Sequence, residues 1–329
     1  MSLLAPTLEA FFSQRLITQK NASPNTIASY RDCMRLLLGF VHDTTGTAPS
    51  KLRLDDLDAA VIGAFLDHLE HDRGISVASR NTRLADVHSL FRFAALRNPE
   101  HAALIQRVLA IPTKRSERAI VCFFTPPEVD AILASPDRSR WTGRRDHAIL
   151  VVAVQTGLRV SELTGLRLQD IHLGAGAHAR CTGKGRKDRS TPLTRETVAV
   201  LRVYLAERGG TPGDPVFPGP SGAALSRDAV RRLVERHTTT AAISCPSLTS
   251  KNASPHVLRH TCAMRLLESG CDLATISLWL GHESPRTSQI YLHAHLAIKE
   301  RALARTTPPH TKPGRYRPPD RILDFLNQL

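Results

Sequence analysis

The chain has 329 residues, 44 Lys+Arg against 30 Asp+Glu, and a formal charge of +14, with 42% apolar and 5% aromatic residues. That length predicts two domains with real cores, and the strongly basic charge makes a polyanion the natural partner. Six scattered cysteines (33, 122, 181, 245, 262 and 271) form no zinc or disulfide spacing, the longest apolar run (Ala148 to Val154) is too short for a membrane, and the N-terminus is not a secretory signal, so a soluble intracellular protein is expected.

Residues 1–110 read as all-helical. Ser23-Pro24 opens a helix with a stripe through Tyr30, Met34, Leu37 and Leu38, and a polar break with Gly46 and Pro49 follows. Leu54, Leu57, Val61, Phe65 and Leu69 recur at helical steps. A further helix is expected from Ser79, burying Leu84, Val87, Leu90 and Phe91 and showing Arg80, Arg83 and Arg92 outward, where Arg80 and Arg83 are candidate DNA contacts. Residues 111–124 read as an interdomain linker, in which Lys114 and Arg115 are candidate backbone contacts. The charge is uneven: residues 1–118 carry a net +3 and residues 119–329 a net +11, so most phosphate contacts belong to the second part.

The second part, 125–305, begins at Thr125 with Glu128 three residues on, a capping-box spacing. A buried helix over 147–155 leads to Thr156-Gly157-Leu158-Arg159, where Gly157 allows a sharp turn. Arg159 follows an apolar stretch, so its charge needs a partner, and Glu162 lies one helical turn away. Residues 180–193 read as a hairpin whose turn carries Lys184, Arg186, Lys187 and Arg189; the spacing is not that of a P-loop. Residues 196–208 form a helix, Ser226 caps another with Arg227 and Arg231 as candidate DNA contacts, and 238–253 read as a loop of no assigned role.

Ser254-Pro255 starts a helix that places His256 and Arg259 on one face, close to a positive helix end. Asp272 caps a second helix ended by Gly281; His282 follows at once and Tyr291 nine residues later. A basic cluster with a tyrosine suggests chemistry on a phosphate. Residues 306–329 are a Pro-rich basic tail closing on a short amphipathic segment.

TGLRVSEL (156–163), GKGRKDRSTPL (183–193), HVLRH (256–260), LGH (280–282) and Tyr291 together, in this order and spacing, resemble the tyrosine recombinases of the phage integrase family, both Xer-like and transposon-type. SPNTIASYRDCMRLLLGF (23–40) and ASRNTRLADVHSLFRF (78–93) resemble that family's core-binding domain. Val257 stands where the family commonly has Asp, and the 238–253 loop and the tail are untypical. The resemblance implies a mainly α (α+β) fold: a SAM-like helical domain, then a mostly helical catalytic domain of the DNA breaking-rejoining type with a small β-hairpin.

It further implies cleavage and rejoining of double-stranded DNA at an inverted-repeat site through a 3′-phosphotyrosyl intermediate. In that reading Tyr291 is the nucleophile, His256 its base, Lys184 the general acid, Arg159 and Arg259 a phosphate clamp, His282 a hydrogen-bond donor to a non-bridging oxygen, and Glu162 the support of Arg159. No cofactor, metal or membrane is expected. A homo-tetramer on DNA, or a hetero-tetramer with sister recombinases, is expected in a cytoplasmic, nucleoid-associated setting. The resemblance weighs against the alternatives, a type IB topoisomerase or a silent DNA-binding accessory protein. It demands that the cationic groups converge on one phosphate within reach of an accessible phenol.

Overall fold

A computed structural model describes residues 3–115, 121–183, 188–281 and 291. The chain divides into two units, Met1–Arg118 and Ala119–Leu329. Each has its own apolar core.

The N-terminal unit is helical: α1 (Leu4–Ala10), α2 (Pro24–Thr45), α3 (Ala59–His71), α4 (Val77–Ala95) and α5 (Ala102–Leu109). Ser23 caps α2 by accepting from the Thr26 amide, and Asp58 caps α3 through the Val61 amide. Leu37, Phe65, Leu66, Leu84, Val87, Phe91 and Val108 are buried in a shared core. Helix α4 begins earlier than its sequence suggests, because Ser76 caps it by accepting from the amide of Ser79. Arg80 sits on the same face of α4 as the buried Leu84, Val87 and Phe91, which corrects its expected DNA-facing role: only 5% exposed, it donates to the Pro112 carbonyl at 3.2 Å. Arg83 is likewise engaged within the fold, donating to Ser29 O at 3.2 Å and lying 3.7 Å from Asp86.

The ends of the expected linker are not loose. Asn81 exchanges two hydrogen bonds with the backbone of Lys114, whose Nζ reaches Glu70 at 2.7 Å. Arg115 is exposed. Beyond it, the Phe124 amide donates to Thr261 Oγ1 at 3.0 Å and buries its ring in the second unit's core.

The C-terminal unit comprises α6 (Pro126–Ala134), α7 (Trp141–Thr156), α8 (Val160–Gly165), α9 (Arg195–Arg208), α10 (Arg227–Ala241), α11 (Pro255–Glu268) and α12 (Leu273–Leu280). Among the described residues its sheet has three antiparallel strands in chain order, β1 (Ile171–His172), β2 (His178–Thr182) and β3 (Asp188–Pro192), one more than the expected hairpin. Ala179 pairs with Thr191 and Cys181 with Arg189, so alternate residues of β2 and β3 face the core. Thr125 and Glu128 form the anticipated capping box. Glu128 also binds Lys251 (2.6 Å) and Ser247 (2.6 Å), which ties down the 238–253 segment that sequence alone left without a role. On α10, Arg227 is exposed, whereas Arg231 is held by Asp228 and Glu235, each at 2.7 Å.

The long central helix α7 packs against α11 and α9 and ends at Gly157, whose φ of +62° suits a residue without a Cβ. A methyl group there would sit 2.7 Å from Leu280 Cδ2 and 3.0 Å from Cys262 Sγ. Gly157→Ala is therefore expected to destabilise the protein by about 2 kcal/mol or more, from left-handed strain and overpacking together. Urea unfolding of the variant checks this; an unchanged midpoint contradicts the packing described.

Candidate active site

Two backbone turns meet at the C-terminal ends of α7 and α12. The helix α11 starts with Ser254 accepting from the Val257 amide and Pro255 in the first turn, which puts His256 at its exposed start and Arg259 on its buried side. Arg259, 3% exposed, donates to Gly157 O at 2.6 Å and to Leu280 O at 2.7 Å. Arg159 donates to the next carbonyl, Gly281 O, at 2.9 Å. Trp279 Nε1 closes the junction on Thr156 O at 3.1 Å. Two guanidinium groups from separate helices are thus anchored on adjacent carbonyls.

Glu162 gives the arrangement its anionic centre. Its side chain is 3% exposed; Oε2 accepts from the backbone amide of Arg159 and Oε1 from the Arg159 guanidinium, both at 2.8 Å. The pairing inferred from their spacing is present. A second guanidinium, that of Arg189 on β3, forks onto the same carboxylate at 2.8 and 3.2 Å. Sequence spacing offers no signal for this contact, because 27 residues separate the partners.

His256 lies at the surface beside this cluster, 4.2 Å from the His260 ring centre to centre. Partial burial, then the charges of Arg259 and Arg159, hold its pKa below the ordinary histidine value, so the ring is neutral at pH 7. Tyr291 departs from the expected accessible phenol. It is 1% exposed, packed with Ala263, Met264, Ile276 and Leu280, and its hydroxyl lies 3.1 Å from Nδ1 of His260, not against His256. Burial pushes the phenol up to about 12, against the opposing pull of Arg259. His260 was visible as the last residue of HVLRH but carried no assignment; its spacing from His256, one helical turn, is the signal that could have found it.

Burial, with Arg159 and Arg189 nearby, also draws Arg259 down to about 10, so it stays charged at neutral pH. Lys184, Arg186 and His282 lie outside the described residues. Among the described residues no group of three or more His, Cys, Asp or Glu could hold a metal ion, and no helix is long and apolar enough to cross a membrane. What the site offers is a fixed positive field, a neutral imidazole and a phenol, a set suited to stabilising charge on phosphate oxygens.

Comparison with known proteins bears on both units. The profile of the phage integrase family matches residues 123–297, and that of the phage integrase N-terminal SAM-like domain matches residues 9–98. A Sinorhizobium fredii protein designated, provisionally, integrase/recombinase y4rC is 55% identical over 326 residues, 99% of this chain and 98% of the relative. Tyrosine recombinase XerC of Pelobacter propionicus is 34% identical over 291 residues, 87% of this chain and 90% of the relative. In fold, the chain resembles the XerH site-specific recombinase bound to palindromic difH substrate, with TM-score 0.70, 24% identity and coverage of 87% and 81%. It also resembles the Tn1549 transposon integrase in complex with circular intermediate DNA, with TM-score 0.70, 16% identity and coverage of 93% and 100%.

The electrostatic arrangement makes a direct prediction for His256. Its imidazole should titrate below 6.5 by NMR, and Arg159→Met, which removes one of the two charges that depress it, should move the midpoint upward. A midpoint that stays put in the variant contradicts the proximity of the two groups.

Proposed function

The chain belongs to the phage integrase family and is a tyrosine site-specific recombinase, and from that premise we propose that Tyr291 attacks a DNA phosphorus held between Arg159 and Arg259. The observation that most supports this reading is the anchoring of both guanidiniums on the adjacent carbonyls of Leu280 and Gly281, which immediately precede His282 in sequence.

In the proposed step the Tyr291 oxygen forms a bond to phosphorus while the bond to the 5′ oxygen breaks. Negative charge grows on the non-bridging oxygens. Arginines already fixed by carbonyls and carboxylate need not reorganise to meet it, which is worth roughly 3–4 kcal/mol per donor lost. The phenol proton passes to a neutral imidazole. His260 Nδ1 meets the hydroxyl at 3.1 Å only in the enclosed position, so His256, at the surface, is the group that receives the proton once Tyr291 has opened. Lys184 supplies the proton for the departing 5′ oxygen, and His282 donates to a non-bridging oxygen. The product keeps the phosphodiester's energy in a 3′-phosphotyrosyl bond, so a second 5′ hydroxyl can reverse the step on another strand.

Because the phenol is enclosed and its pKa high, Tyr291 must leave its apolar packing before it can react. Opening followed by contact with the phosphate and arginines lowers that pKa by replacing desolvation with positive neighbours. Exchange between two duplexes requires four cuts, hence four subunits, either of this chain alone or shared with sister recombinases. DNA affinity rests on phosphate contacts and so falls steeply with salt; exposed Arg115 and Arg227, together with Arg186, are the proposed contacts outside the site.

A nicked duplex carrying the protein's own site should trap an SDS-resistant adduct. Tyr291→Phe should abolish the adduct while DNA binding persists; an adduct surviving this change disproves the nucleophile. Lys184→Ala should slow cleavage severely on ordinary DNA but much less on a 5′-bridging phosphorothiolate, whose leaving group needs no proton. Equal defects on both substrates would remove Lys184 as the acid.

A further inference from the structure

We infer that Arg189 is a positioning residue for DNA cleavage: by sharing the Glu162 carboxylate with Arg159, it sets the angle at which the Arg159 guanidinium meets the scissile phosphate. This rests on the proposed role of Arg159. Arg189 is held on three sides. Both terminal nitrogens fork onto Glu162, at 2.8 and 3.2 Å. Its side chain lies against Gly281, where any Cβ would collide with the guanidinium. Its backbone is locked in β3 opposite Cys181.

Those three contacts involve the elements that carry the proposed chemistry. Glu162 belongs to α8, just after Arg159. Gly281 supplies the carbonyl that Arg159 uses and precedes His282 in sequence. Strand β3 follows directly on residues 184–187 in sequence. Oε1 of Glu162 accepts from Arg159 and Arg189 together, so any rotation of the carboxylate by Arg189 moves the Arg159 head group.

Stability alone is a poor explanation for such a triad. Its side chains are 3% (Glu162) and 13% (Arg189) exposed, and burying charges costs about as much as their pairing returns. Nε of Arg189 is buried with no hydrogen-bond partner among the described residues, a further penalty for a purely structural group. What the geometry does provide is orientation. A planar fork fixes a carboxylate in a way that a lysine ammonium cannot, and a misdirected arginine clamp loses transition-state stabilisation without losing charge.

The test is single-turnover cleavage of a nicked duplex by full-length Arg189→Lys, with Arg189→Met as a second variant in case one fails to fold, and Arg159→Lys as a control. Each is measured on an ordinary phosphodiester and on a methylphosphonate at the scissile position, where one charged oxygen is removed and less is asked of the clamp. Arg189→Lys is expected to cleave ordinary DNA about 10- to 100-fold more slowly, a loss of about 1.4–2.7 kcal/mol of barrier stabilisation. Its DNA Kd and Tm should stay close to those of the parent, and most of the deficit should vanish on the methylphosphonate. An equal deficit on both substrates, or a rate unchanged from the parent, overturns the inference. If Arg159→Lys also cleaves normally, the failure lies instead in the role given to Arg159.

Discussion

Positive groups brought close together repel, by about 4 kcal/mol for unit charges 4 Å apart at an effective dielectric constant of 20. The C-terminal unit nevertheless gathers Arg159, Arg189 and Arg259 around a single carboxylate. Their mutual repulsion is offset by Glu162 and by the carbonyl oxygens of Gly157, Leu280 and Gly281, which accept from two of the three. The local backbone follows from that need. Helices α7 and α12 both end in left-handed glycines, at φ of +62° and +64°, and the carbonyls at these turns are left free of helical pairing to receive guanidinium donors. A recombinase needs a positive field that stays in place when a phosphate arrives, and here the field is built into two helix ends.

Much of this was legible in the chain. Ser23, Ser254 and Asp272 cap helices where their position before an apolar stripe indicates, and Thr125 with Glu128 closes the box its spacing announces. The Arg159–Glu162 pair was readable because both ends of the interaction lie within one helical turn. What escaped has a common physical origin. Arg80 and Arg83 look like a solvated stripe until distant backbone, at Pro112 and Ser29, claims their donors. Ser76, not Ser79, starts α4, a difference of three residues that a local pattern resolves poorly. Arg189 looked like one more cation of a basic turn, and only strand pairing brings it to Glu162. The short strand β1 carries too few residues to show an alternating pattern.

The enclosed tyrosine is the largest departure. A polar phenol near a cationic cluster reads from sequence as an exposed reagent, yet the ring carries far more apolar than polar surface, and burial among Ala263, Met264 and Leu280 is what its hydrophobicity favours. The hydroxyl would be costly to bury alone; the His260 ring nitrogen at 3.1 Å satisfies it. The two histidines of HVLRH therefore occupy distinct settings, one beside the arginines at the surface and one against the phenol.

The shared carboxylate also constrains how such a protein can drift over generations. Replacing Glu162 by a neutral side chain strands two guanidiniums that face the same space, and replacing Arg189 by an acid sets two anions together. Neither single substitution is a tolerable waypoint toward a rearranged pair. Positions 159, 162 and 189 should therefore exchange residues in concert, leaving a correlated signature among descendants even where the surrounding surface diverges freely.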